Sequence, residues 1–195
     1  MNRYTPLLML LAACCSTVVA QVPVPTNSLP YHSRPTNPNA PTKEMRRQAE
    51  QGDVTAQLRL GICYDNGLGV AENNAEAVKW FRRAAEQGDK RGQYFLGVKY
   101  AKGEGVAESI AEAVKWYRLA AEQGQTSAQT ELGEAYFKGD GVPKSKVDAY
   151  FWWNLAAADD NAIDAQRNKA MIAKEMTREQ IAEAQRRSAA WKPKK

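Results

Sequence analysis

From residue 43 onward, apolar and small residues recur at the spacing of an α-helix and do not alternate as they would in a strand. Ala56, Leu60 and Tyr64 lie four residues apart and therefore share one helical face. Trp80 and Ala84 show the same relation further along the chain. The pattern predicts a series of short amphipathic helices, and hence an all-α fold.

This helical pattern occurs three times without gaps, over residues 49–84, 85–120 and 121–156. Each copy predicts a helix, a glycine-containing loop and a second helix, which we call the A helix and the B helix. Self-similarity at a period of 36 residues is typical of an array in which one helical hairpin is stacked repeatedly.

Polar residues and glycines mark the ends of these helices. Asn73, Ser109 and Ser145 occupy equivalent places in the three copies and are expected to cap the amino end of each B helix. Gly67 follows the first A helix and can adopt the left-handed backbone conformation that ends a helix.

Each predicted A helix also contains an internal glycine, which costs roughly 1 kcal/mol relative to alanine. Its recurrence as Gly61, Gly97 and Gly133 indicates that a neighbouring helix approaches closely. The expected contacts are small residues at one B-helix position, namely Ala77, Ala113 and Ala149. One tryptophan per copy is expected in the core between repeats, namely Trp80, Trp116 and Trp152.

Both ends of the array depart from the repeat, as the terminal units of a soluble solenoid must. Residues 43–48 and 157–191 are the expected caps, and Thr177 with Gln180 forms a capping box that begins a last helix. That helix carries Ile181, Ala184 and Ser188 on one side. Residues 192–195 form a basic tail, which we expect to be a solvated end.

The amino-terminal segment has the layout of an export signal. Residues 1–20 contain a short apolar run, and cleavage after Ala20 would leave Gln21 as the first residue. The run is shorter than the roughly 20 apolar residues that span a bilayer. Alternatively, the residues before Cys14 resemble a lipoprotein box, and Cys14 would then be lipidated. Residues 21–42 are rich in proline and predict a disordered or extended spacer.

Charge and catalytic chemistry point away from several functional classes. The net charge of +5 is spread along the chain with both signs mixed, so it gives no indication of nucleic-acid binding. His32 is the only histidine and lies in the spacer, and the lone Cys63 of the repeats is expected to be a packed residue. The loops read Gly-x-Gly-Val, without the third glycine of a nucleotide fingerprint. We therefore predict no cofactor, no metal and no catalytic site, although Glu131 and Glu134 share a helical face.

The repeated motif resembles the Sel1-like repeat family, relatives of the tetratricopeptide repeat. The motif is A-x-x-x-L-G-x-x-Y-x-x-G-x-G-V followed by A-x-x-W-[FYW]-x-x-A. All three copies carry it, and the second departs from it only in having Gly92 at the first alanine. The resemblance covers residues 43–191 and implies a right-handed α-solenoid that acts as a scaffold or adaptor.

In proteins of that family, the A helices line a concave surface that binds partners. Residues opposite the Ala-Leu-Tyr face of each A helix are therefore the candidates, namely Thr55, Arg59, Ile62, Asn66, Arg91, Phe95, Val98, Lys102, Ser127, Glu131, Glu134 and Lys138. Phe95 and Val98 are the strongest candidates, because exposed apolar residues can anchor a partner segment. The alternative is that Phe95 packs under a neighbouring helix.

These features predict a periplasmic, envelope or secreted protein that binds another protein or a peptide and is not an enzyme. The expected chain is a monomer, and it touches a membrane only if Cys14 is lipidated. The resemblance also admits an immunity protein that neutralises a secreted toxin. A third hypothesis is an envelope hydrolase acting on cell-wall material, which would require carboxylates with perturbed pKa values in one pocket.

Overall fold

The computed structural model describes residues 40–194. The predicted export signal, with Cys14, and residues 21–39 of the predicted spacer lie outside them. Within the described residues the chain is entirely helical, as predicted. The helices are α1 (Lys43–Glu50), α2 (Val54–Asn66), α3 (Asn74–Glu86), α4 (Lys90–Lys102), α5 (Ile110–Glu122), α6 (Thr126–Lys138), α7 (Lys146–Ala156), α8 (Ile163–Ala173) and α9 (Arg178–Ala190).

The helices pair in the order predicted from the repeats. The A helices are α2, α4 and α6, and each packs on the B helix that follows it, α3, α5 or α7. Each of α3 and α5 also packs on the next A helix, and α9 returns to pack on α7. The result is a continuous helical array, a solenoid, with α1 at one end and α8 and α9 at the other.

The predicted capping residues begin and end the helices as expected. The side chain of Asn73 accepts a hydrogen bond from the backbone N–H of Glu76, at 3.1 Å, and Ser109 and Ser145 cap α5 and α7 in the same way. Gly67 adopts the left-handed conformation after α2, with φ of 64°. The Thr177 capping box at the start of α9 is also formed. Local sequence therefore sets these helix boundaries.

An aromatic ring packs directly on each internal glycine, whereas the sequence analysis expected an alanine at this contact. A Cβ atom on Gly61 would lie 2.6 Å from the ring of Phe81, and one on Gly133 would lie 2.6 Å from the ring of Trp153. At Gly97 the ring of Tyr117 is the nearest group, at 2.7 Å, and the backbone oxygen of Ala113 is next, at 3.2 Å. The B helix thus presses its aromatic residue onto the A-helix backbone, where Ala77, Ala113 and Ala149 were expected.

The tryptophan series lies in the core, as predicted. Trp80 is 5% exposed and clusters with Met45 and Ala49 of α1 and Leu60 of α2, so it joins the first repeat to the amino-terminal cap. Trp152 is buried in the carboxyl-terminal cluster. Trp116 is half-buried against the cluster between the first and second repeats.

An arginine–tyrosine hydrogen bond recurs at each junction and identifies α1 as a B helix. Arg82 donates to the hydroxyl of Tyr100 at 2.8 Å, and Arg118 donates to that of Tyr136 at 3.0 Å. Arg46 of α1 makes the same bond to Tyr64, at 3.0 Å. The amino-terminal cap predicted from the sequence therefore corresponds to the second half of a repeat.

The carboxyl-terminal tail is exposed, as predicted, but it is also attached to the end of α5. The backbone N–H of Lys194 donates to the carbonyl oxygen of Glu122 at 2.8 Å, and the Lys194 ammonium pairs with the Glu122 carboxylate at 2.8 Å. Pro193 also lies close to Gly124. The positive charge of the tail, on which the sequence analysis relied, gives no indication of these contacts. The tail therefore returns to the end of α5.

Candidate functional site

The predicted binding residues lie on the A helices, but with different degrees of exposure. Ile62, Phe95, Val98, Glu131 and Glu134 are half-buried. The others are exposed, namely Thr55, Arg59, Asn66, Arg91, Lys102, Ser127 and Lys138. The structure gathers part of this set around two depressions that share Tyr94, a residue that the sequence analysis did not single out.

The first of these, the N-terminal depression, has a volume of about 390 Å³. It brings together the predicted residues Phe95, Val98 and Lys102. Its other lining residues are Asp65, Glu72, Asn74, Tyr94, Lys99 and Glu104. Its wall therefore mixes apolar groups with charges of both signs.

The second, the C-terminal depression, has a volume of about 490 Å³. Of the predicted residues, only Ser127 and Glu131 line it. The remaining wall comes from α4, α6 and the loop into α8, namely Tyr94, Thr126, Thr130, Asp159, Asn161, Ala162, Ile163, Asp164 and Ala165. The carboxyl-terminal cap, which does not follow the repeat motif, thus supplies half of this site.

Phe95 packs within the molecule, which answers the alternative left open by the sequence. Its ring stacks on that of Phe81 with the centroids 5.0 Å apart, and the ring of Tyr94 lies 5.4 Å away. Ile62 also packs against this cluster. Val98 is therefore the residue of the predicted apolar pair that a substitution can probe without dismantling an aromatic stack.

Lys99 is a buried cation that the sequence analysis missed. Its ammonium contacts the carboxylates of Asp65 and Glu104, the latter at 2.6 Å, and donates to the side-chain oxygen of Asn74 at 2.8 Å. Burial acts to lower the pKa of Lys99, but the hydrogen bonds and charges of the two carboxylates outweigh it and raise the pKa. The sequence contains a signal for this residue, because a lysine stands at a core position where the other two copies hold Cys63 and Ala135.

The C-terminal depression is acidic. Glu131, Asp159 and Asp164 line it, and no Lys or Arg is among its lining residues. Burial, followed by the charge of Glu134, raises the pKa of Glu131, although Lys138 and Lys102 oppose that shift. Burial and the Glu131 charge also raise the pKa of Tyr94. The wall of the depression therefore carries carboxylates and no lining cation, although the chain as a whole is positive.

These carboxylates do not form the acid–base pair that a hydrolase would need. Asp159 accepts a hydrogen bond from the backbone N–H of Asn161 at 3.0 Å and so shapes the turn before α8. Asp164 is exposed and pairs with Arg167. General acid–base chemistry requires two groups in complementary protonation states, whereas Asp159 and Asp164 are both engaged by other groups of the chain. The arrangement favours binding.

Residues 40–194 contain neither a metal-binding cluster nor a membrane-spanning helix. No cluster of three His, Cys, Asp or Glu side chains in this part of the chain could hold a metal ion. None of the helices described is long and apolar enough to cross a membrane. Cys63 is buried, and burial raises the pKa of its thiol, as expected for a packed residue.

We expect the carboxylate of Glu131 to destabilise the fold at neutral pH. Its pKa is raised from 4.5 in the folded protein, so the cost is fully present above the folded pKa and is relieved as pH falls towards 4.5. Glu131→Gln should therefore raise the melting temperature at pH 7, and the gain should vanish near pH 4. Circular dichroism melts across this range provide the measurement. Glu112→Gln is the control, because Glu112 pairs with Lys115 on α5 and its loss should give no such gain.

Comparison with known proteins agrees with the repeat architecture. The Sel1 repeat family model matches residues 54–89, 90–125 and 126–161. These ranges have the period found in the sequence and start at the A helices. Among curated proteins, none matches the chain significantly.

Two solved structures illustrate the similarity. A Sel1 repeat protein from Oxalobacter formigenes is 41% identical, with a TM-score of 0.59 over 65% of this chain and 96% of that one. The protein c5321, a protective antigen of uropathogenic Escherichia coli strains with an SLR fold, is 32% identical, with a TM-score of 0.58. The match covers 74% of this chain but only 38% of c5321, so the chain spans less than half of that protein. The three consecutive repeats and these relatives together show that the chain belongs to the Sel1 repeat family.

Proposed function

We propose that this chain is an exported protein-binding module that holds a segment of another protein on the surface formed by its A helices. Sel1 repeat proteins generally mediate protein–protein interactions. The observation that carries the proposal is the pair of depressions on either side of Tyr94. They provide concave, partly apolar surface of the kind that binds extended segments.

The variation between repeats supports this surface as the binding site. Leu60, Leu96 and Leu132 keep one identity in the buried core, whereas Arg59, Phe95 and Glu131 share one repeat position and differ in charge and size. A groove lined by unlike side chains at equivalent positions presents a distinct pattern along its length. A partner segment can then be recognised in a single register.

Site-specific photocrosslinking of the full-length chain in growing cells tests the proposal. A photoreactive phenylalanine analogue at Val98 should give a crosslinked band with a partner protein. The same analogue at Lys115, an exposed position on α5 outside both depressions, should give none. Crosslinks at Lys115 but not at Val98 would place the interaction on the other surface and reject the proposal.

Export is the second element of the proposal, and it rests on residues 1–20. Intact-mass measurement of the protein isolated from the cell envelope should give a chain that starts at Gln21. A diacylated chain that starts at Cys14 would instead make it a lipid-anchored form of the same module. Retention of Met1 in cytoplasmic protein would reject export.

A further inference from the structure

Resting on this proposed function, we propose that the C-terminal depression recognises a Lys or Arg side chain of the partner segment, with an apolar residue beside it. The depression is a groove whose wall holds the carboxylates of Glu131, Asp159 and Asp164 and no lining cation. Asp164 is paired with Arg167, so the negative charge left without an ion pair is that of Glu131 and Asp159. The chain carries a net charge of +5, so this negative charge is local. Complementary charge selects partners chiefly through specificity and association rate.

Glu131 is the group that an incoming cation would neutralise. It is half-buried on α6, and none of the ion pairs formed among residues 40–194 includes it. The nearby Lys138 is engaged by Glu134 of the same helix, at 2.5 Å. A partly desolvated carboxylate without an ion-pair partner gains more from a cation than one that is fully solvated.

The rest of the wall suits the apolar parts of such a segment. Ile163 is 68% exposed at the start of α8, the most exposed large apolar side chain described. Tyr94 also lines the depression. The aliphatic stem of a Lys or Arg could pack between them while its charged end reaches Glu131. Ile163 would then contact the apolar neighbour.

The N-terminal depression provides an internal comparison. Its carboxylates Asp65 and Glu104 are already paired with the buried Lys99 of the same chain. A cation from a partner would have to compete with that contact. Recognition of a basic residue is therefore specific to the C-terminal depression and does not extend along the whole A-helix surface.

The chain's own basic tail is held elsewhere. The Lys194 ammonium pairs with Glu122 at 2.8 Å, and Glu122 is not among the residues that line the depression. A partner protein is therefore the occupant to which the charge of the depression points.

Selection from a displayed library of random twelve-residue peptides on the full-length protein tests the inference. We expect selected peptides to carry Lys or Arg next to an aliphatic or aromatic residue. For a synthetic copy of a selected peptide, dissociation constants from fluorescence anisotropy should rise at least about tenfold with Glu131→Gln or when the basic residue becomes Ala. This is less than the cost of breaking a fully buried charge pair, because Glu131 is half-buried. Ile163→Ser should weaken binding as well.

Glu112→Gln is the matched control, since it removes a carboxylate outside both depressions and should leave binding unchanged. Selected peptides without basic residues, or basic peptides that bind Glu131→Gln as tightly as wild type, would overturn the inference. Peptides that match residues 21–39 would assign the depression to the chain's own segment and also overturn it. If Val98 still crosslinks to a partner while the library yields no basic binder, this inference fails and the proposed function stands. If Val98 gives no crosslink while Lys115 does, the proposed function fails.

Discussion

Replacing Trp153 with alanine is expected to lower the free energy of unfolding by about 3–5 kcal/mol, the usual cost of truncating a buried aromatic residue. Trp153 is 1% exposed. Its ring fills the space left by the missing side chain of Gly133, and its indole N–H donates to the carbonyl oxygen of Thr130 at 3.1 Å. Alanine would remove both the packing between α6 and α7 and that hydrogen bond.

The repeat itself supplies the control for this prediction. Phe81 and Tyr117 occupy the equivalent position in the first two copies and lie over Gly61 and Gly97. Trp153→Phe should therefore keep a ring over the glycine and cost much less than Trp153→Ala. Urea unfolding followed by circular dichroism measures both variants. Equal losses for Phe and Ala would mean that the ring over the glycine does not hold the hairpin together.

The contact between the ring and the glycine shows what sequence periodicity can predict and what it cannot. The sequence required a close approach at Gly61, Gly97 and Gly133, and the structure confirms one at each. Helical spacing leaves several B-helix positions facing an A helix, so it could not choose between the alanine series and the aromatic series. That choice depends on the rotation and separation of two packed helices, which only the three-dimensional structure provides.

The C-terminal depression was less predictable for a different reason. Repetition locates residues such as Glu131 and Ser127 because their equivalents can be compared between copies. Asp159, Ile163 and Asp164 belong to the cap, where no equivalent copy defines the expected surface. Their position follows from how the cap packs on α7, which is a tertiary contact with no local signal. The predicted list therefore names residues of the A helices and omits the cap residues that line this depression.

A comparison between copies could also have found Lys99. This residue contributes both to the stability of the array and to the shape of the proposed binding surface. Its position belongs to the buried face, where the other two copies hold the smaller residues Cys63 and Ala135. A buried lysine needs counter-ions, which Asp65 of the preceding A helix and Glu104 of the following loop supply. Asn74 of the preceding B helix accepts a further hydrogen bond from it. The same groups line the N-terminal depression. Stability and the shape of the proposed binding surface are thereby linked at the junction of the first and second repeats.

Lys99→Ala is accordingly expected to lower the free energy of unfolding by about 2–3 kcal/mol, somewhat below the usual cost of breaking a fully buried pair. The discount follows because Asp65 and Glu104 retain side-chain exposures of 20% and 40% and can be rehydrated. Lys115→Ala should cost far less, since its pair with Glu112 is exposed. Adding Asp65→Ala should recover part of the loss by removing a stranded carboxylate.

The dependence on pH separates this ionic effect from simple loss of packing. The pKa of Lys99 is raised above 10.5 in the folded protein, so its contribution is complete below 10.5 and is lost as pH rises through the folded value. The pKa of Glu104 is lowered below 4.5, so its contribution is complete above 4.5 and is lost as pH falls through the folded value. The difference between wild type and Lys99→Ala, measured by urea unfolding, should therefore be largest between these limits and shrink on either side. A difference that stays constant across this range would show that Lys99 acts only by filling space, and the ion pairs would then have no part in joining the repeats.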